Sequence, residues 1–108
     1  MINKELLVDT LATIKANPQY WDQTQWHCGT THCFAGFVEL LYMDLPITIN
    51  STILKNDDRF YKDYYTDWKT PSNARELLGL TNNQSDALFH PTNTLEDLER
   101  IVGVLVTS

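Results

Sequence analysis

The stretch "HCFAGFVELLYM", residues 32–43, decides the fold class. Glu39 is its only formal charge, and its apolar side chains would fall on every side of a helix. A helix without a polar face is buried on most of its sides, so this segment is predicted to be the central helix of the domain. Ala35 and Gly36 give it a smooth patch where another element can approach closely. The apolar run from Phe34 to Met43 is too short to cross a bilayer.

Immediately upstream, "QWHCGTT", residues 25–31, joins the helix through two His–Cys dipeptides, His27–Cys28 and His32–Cys33. These hold both cysteines of the chain and two of its three histidines. Gly29 is suited to a turn, and Thr30 or Thr31 is the expected helix cap. Further upstream, residues 3–16 read as an amphipathic helix. Asn3 is its N-cap, Leu7, Leu11 and Ile14 lie on one face with Leu6 widening it, and Asn17–Pro18 stops it.

Downstream the pattern is mixed before it clears. "LPITINSTIL", residues 45–54, is rich in β-branched residues and suits a short strand or an extended segment near 45–55. In residues 56–68, Phe60, Tyr64 and Trp68 are spaced to share a helical face. Thr70–Pro71 then opens a helix that ends at Gly79. Thr81 caps a short helix closed by His90–Pro91. Thr94 with Asp97 forms a capping box with the shorter acid and starts a last helix, 95–106, striped by Leu95, Leu98, Ile101, Val102 and Leu105. Residues 1–108 are thus expected to form one all-α domain, a compact bundle of about five helices. No repeat or low-complexity tract interrupts it.

Bulk composition narrows the function classes. At 108 residues, with 43% hydrophobic and 20% charged, the chain has the makings of an ordinary globular domain that needs no metal or disulfide staple. Eight basic against fourteen acidic residues leave a net charge of −6. Phosphate-driven nucleic-acid binding is therefore not expected, because it needs clustered basic residues. The N-terminal residues mix Lys and Glu without a long apolar run, so neither a leader nor a membrane partner is expected, and the location is read as cytoplasmic. A persistent disulfide is disfavoured there.

The His–Cys cluster admits three readings. As a metal site it offers thiolate and imidazole ligands suited to zinc, from Cys28, Cys33, His32 and the more distant His90. Adjacent residues point in different directions, however, so each dipeptide supplies one ligand at best, and no metal or other cofactor is assigned. As a redox site, Cys28 and Cys33 form a C-x4-C pair, with Cys33 at a helix N-terminus where the dipole favours thiolate. As a structural turn, Gly29, Thr30 and Thr31 shape the entry to the helix while the cysteines behave as small buried hydrophobes. A catalytic cysteine would need a paired histidine and an oxyanion site. His90, in a turn between helices, offers no such pairing, and no catalytic residue is assigned.

Taken as a set, W-x-C-G-T-x-x-C-F-A-G (Trp26 to Gly36), A-R-E-L-L-G-L (Ala74 to Leu80), A-L-F (Ala87 to Phe89) and N-T-L-E-D-L (Asn93 to Leu98) resemble a group of short bacterial and phage proteins with no established activity. The resemblance covers about two thirds of the chain. It implies that the cysteines, and not the histidines, define the pattern, which turns attention to Cys28 and Cys33. The expected function is a small acidic protein that contacts another protein as an accessory factor, phage-related if the resemblance holds. Helix 32–43 and the aromatic segment 60–68 are the expected surfaces, with a homodimer as one way of covering so apolar a helix. A thiol switch is the first alternative and zinc binding the second.

Overall fold

The computed structural model describes residues 2–24, 27–50, 53 and 70–107, with the backbone alone at 27, 28 and 70. Five α-helices lie among them: α1 (Lys4–Ala16), α2 (Phe34–Tyr42), α3 (Thr70–Leu78), α4 (Asn82–Leu88) and α5 (Leu95–Thr107). The all-α expectation holds. A 3-10 turn, Pro18–Tyr20, follows α1, and two two-residue strands, β1 (His27–Cys28) and β2 (Thr31–His32), precede α2. The aromatic positions Phe60, Tyr64 and Trp68 lie outside the described residues.

Helix α2 runs through the centre, packed against α1 on one side and α3 on the other. From Phe34 to Leu40 every residue is buried. Full burial of a Phe or Leu side chain stabilises by about 1.5–3 kcal/mol, so this one helix supplies much of the driving force. Leu7 and Ile14 of α1, Ala74 and Leu78 of α3, Leu88 of α4, and Leu98, Val102 and Leu105 of α5 complete the main core. The chain's own helices enclose α2 from Phe34 to Leu40, while Tyr42 at its end is exposed.

Local signals set most helix ends. The Asn3 side chain accepts from the Leu6 N–H at 3.1 Å, and the Asn3 N–H donates to the Leu78 carbonyl at 2.8 Å, tying the start of α1 to the end of α3. Thr81 and Gln84 form a reciprocal capping box on α4. At α5, the Thr94 N–H donates to Asp97 Oδ2 at 3.0 Å and the Asp97 N–H donates to Thr94 Oγ1 at 3.2 Å. The Thr94 donor holds the Asp97 carboxyl below its ordinary range, with Arg100 helping. Gly79 ends α3 at φ 70°, with Leu80 N–H donating to Arg75 O and Gly79 N–H to Glu76 O. The same double closure ends α2, where Leu45 N–H reaches Leu40 O and Asp44 N–H reaches Leu41 O. Here Asp44, at φ 55°, occupies the position that glycine usually takes.

One helix start needs correction. Helix α2 starts at Phe34 and not at His32, because His32 belongs to β2. Of the segment 45–55, expected as a strand or an extended segment, residues 45–50 and 53 are described, and 45–50 carry a turn at 47–48. Pro46 has no N–H to donate, and its carbonyl accepts from Ile49 at 3.0 Å. The β-branched residues there serve packing: Ile47 sits against the main core, and Ile49 joins Met43 and Leu45 around Leu40.

Candidate functional site: the hairpin and the head of the central helix

The two dipeptides fall on either side of a minimal hairpin. His27 pairs with His32 and Cys28 with Thr31, leaving Gly29 and Thr30 as a two-residue turn. Gly29 has φ 58° while Thr30 keeps a negative φ, the pattern of a type II′ turn, whose twist matches the strands it joins. The turn expected at Gly29 is therefore present, with Thr30 as its second residue. The cap expected at Thr30 or Thr31 is not, since Thr31 is consumed by β2. Cys33 takes that role: its backbone is extended and its Sγ accepts from the Gly36 N–H at 3.4 Å.

Burial governs the chemistry of this cysteine. The Cys33 thiol is free and completely enclosed. Burial pushes it up from 9.0 to about 12, with the Glu39 charge adding to the rise and the backbone N–H groups of Gly36 and Ala35 opposing it. At neutral pH burial therefore keeps the thiol protonated. The helix-dipole advantage anticipated for a thiolate is present in those N–H groups, but desolvation outweighs it.

His32 is also fully buried. Its ring meets Phe37 edge-on, with centroids 5.9 Å apart and planes at 89°. Its carbonyl accepts from the Asp22 N–H at 2.9 Å, and a single bridge links it to Trp21. His90 lies elsewhere and is exposed, its Nδ1 accepting from the Thr92 N–H at 3.2 Å. Among the described residues, no three His, Cys, Asp or Glu side chains gather as metal ligands.

The residue that organises the region went unrecognised in the sequence. Gln23 is buried, and its amide makes four hydrogen bonds. Oε1 accepts from Trp21 Nε1 at 3.0 Å and from the Phe34 N–H at 3.1 Å. Nε2 donates to the carbonyls of Leu88 at 3.1 Å and His90 at 3.2 Å. One side chain thereby joins Trp21, the first turn of α2 and the end of α4. No local pattern marks it, because its main partners lie 65 and 67 residues away. Deeper along α2, the nearly enclosed Glu39 accepts from Asn73 Nδ2 of α3 at 3.0 Å. This polar bond links α2 to α3.

Accessible features lie on the other side of α4. A groove of about 320 Å³ runs between α4 and α5, lined by Ala87, Arg100, Ile101, Val104 and Leu105, with Gln84 at its polar edge. A cleft of about 370 Å³, more polar in its lining, lies between α3 and the end of α4, bordered by Arg75, Asp86 and His90. Arg75 is already engaged there, donating to Asn82 Oδ1 at 2.7 Å. Among the described residues, no helix is long and apolar enough to cross a membrane. Compared with known proteins, the chain matches no family model, no curated protein and no solved structure, so its own residues carry the functional reading.

Proposed function

We propose that the protein acts by contact with another protein, through the apolar groove between α4 and α5, and not by chemistry at the His–Cys cluster. The observation that carries this reading is a contrast in access. Cys33, His32, Gln23 and Glu39 are all buried and engaged with neighbouring residues. Val104, beside the groove floor, is 62% exposed. An enclosed, protonated thiol is a poor nucleophile and a poor ligand, whereas an exposed apolar patch beside a concave surface is the ordinary signature of a contact site. The motif resemblance to short bacterial and phage proteins fits an accessory role of this kind.

The competing thiol switch through Cys28 and Cys33 requires Cys33 to leave its cap and reach solvent. One set of measurements separates the two readings. Chemical cross-linking in cells that make the protein is compared for the wild type, Val104→Glu, and Val8→Glu, which alters an exposed residue on α1. A partner captured by the wild type and by Val8→Glu but lost from Val104→Glu supports the groove. The same captured set from all three proteins refutes it. Thiol labelling of the folded protein at neutral pH should leave Cys33 unmodified, and rapid labelling would favour the switch.

A further inference from the structure

We infer that the cleft between α3 and the end of α4 binds a free amino acid with an apolar side chain, in its zwitterionic form. The cleft lies across α4 from the apolar groove, so the inference does not depend on the contact reading above. Its volume of about 370 Å³ falls within the range of small-molecule sites.

The observation that carries this is a pair of opposite charges that border one hollow without closing on each other. Arg75 and Asp86 both line the cleft. Arg75 Nη1 donates to Asn82 Oδ1 at 2.7 Å. That partner is a neutral amide, so it fixes the guanidinium without neutralising it and leaves its other donors unspent. Among the described residues, no ion pair or hydrogen bond engages the Asp86 carboxylate.

The order of groups along α4 gives the ligand. Asn82, Asp86 and Phe89 follow one another on one face of the helix and its cap. At about 1.5 Å of rise per residue, roughly 6 Å separate the anchor of Arg75 from Asp86. A cation is thus followed by an anion, and Phe89, Pro71 and Pro91 supply an apolar wall to the same cleft. A carboxylate on Arg75 and an ammonium on Asp86 place the α-carbon between them and the side chain against the rings.

Charge excludes simpler ligands. A plain anion on Arg75 would meet Asp86 one turn away and the chain's net charge of −6, and a plain cation on Asp86 would meet Arg75. A zwitterion satisfies both groups and carries no net charge to be repelled.

Titration of the isotope-labelled protein with L-leucine and, separately, L-phenylalanine, read from amide NMR shifts, tests the inference. A range up to about 20 mM covers the dissociation constant of about 1 mM expected for so few contacts. With at least one of the two, shifts should saturate and cluster at Arg75, Asp86 and Phe89. Leucinamide, without the carboxylate, and N-acetyl-leucine, without the ammonium, should each bind at least about tenfold more weakly than leucine. Arg75→Gln should weaken leucine and N-acetyl-leucine alike. Asp86→Asn should weaken leucine at least about tenfold while tightening N-acetyl-leucine, an opposition that loss of structure would not produce. Shifts that stay linear with both amino acids, shifts centred away from the cleft, or N-acetyl-leucine binding as tightly as leucine would overturn the inference.

Discussion

Replacing Gln23 by Met keeps the length of the side chain and removes all four of its hydrogen bonds, so it isolates the polar contribution from packing. The cost follows from what each partner has left. The Leu88 carbonyl still accepts from Asn93 Nδ2 at 3.0 Å, and the His90 carbonyl still accepts from the Asn93 N–H at 3.1 Å. Those two groups lose a second bond and remain satisfied. The Phe34 N–H has no such reserve. It is a first-turn donor of α2, and it is buried. Stranding it costs about 1–3 kcal/mol, and the other three bonds contribute about 0.5 kcal/mol each at the low end of the net range. The sum is about 3 kcal/mol, a large share of the stability of a small domain. For about 100 residues that corresponds to a thermal midpoint lower by roughly 12–15 °C. Gln23→Ala should cost about 1 kcal/mol more because it also leaves a cavity.

Urea denaturation followed by circular dichroism measures the loss, and native-state hydrogen exchange locates it. The Phe34 amide should exchange at least about tenfold faster than the global change in stability explains. A Gln23→Met protein within about 0.5 kcal/mol of the wild type would show that solvent or a neighbouring group replaces the amide, and the keystone role would be wrong.

The remaining predictions concern single positions. Asp44→Gly should stabilise by roughly 0.5–1 kcal/mol, read from the urea midpoint, because Asp44 holds φ 55° at the end of α2 where glycine is unstrained. Gly29→Ala should destabilise by about 1 kcal/mol through its φ of 58° alone, since a Cβ there meets nothing within 4 Å. Cys33→Ser should retain more stability than Cys33→Ala, because a hydroxyl can accept from the Gly36 N–H and Ala loses a cap worth about 1 kcal/mol; equal losses in thermal melts would remove Cys33 from the cap. The same thiol makes stability depend on alkaline pH. Its unfolded value near 9.0 lies below its folded value of about 12, so the unfolded chain releases the proton first. The contribution is therefore intact below pH 9.0 and is lost as pH rises toward about 12, at up to about 1.4 kcal/mol per pH unit. Urea midpoints of the wild type should fall more steeply above pH 9.0 than those of Cys33→Ser; parallel slopes would contradict the assignment.

Local signals made the helices legible. Asn3, the Thr81–Gln84 pair, the Thr94–Asp97 pair and Gly79 all act on partners within four residues, so a window of sequence contains both ends of each interaction. The apolar run 34–40 likewise declared its own burial, because no arrangement of that helix offers a polar face to water. By itself the sequence therefore determined the all-α class, the order of the helices and most of their ends. It misplaced the start of α2 because Thr30 and Thr31 have good cap chemistry, and only hairpin pairing removes Thr31 from that role.

Tertiary structure decided everything that depends on distant partners. His32 and Cys33 carry the same formulas whether they face water or the core, and only the packing of Phe37, Trp21 and the surrounding helices encloses them. Gln23 is an unremarked polar residue until α4 brings two carbonyls to its amide from the far end of the chain. The α4–α5 groove belongs to neither helix alone, because it exists only where Ala87 and Val104 come to line the same space. Solvation and long-range contact set the chemistry of a side chain, and both are properties of the folded chain.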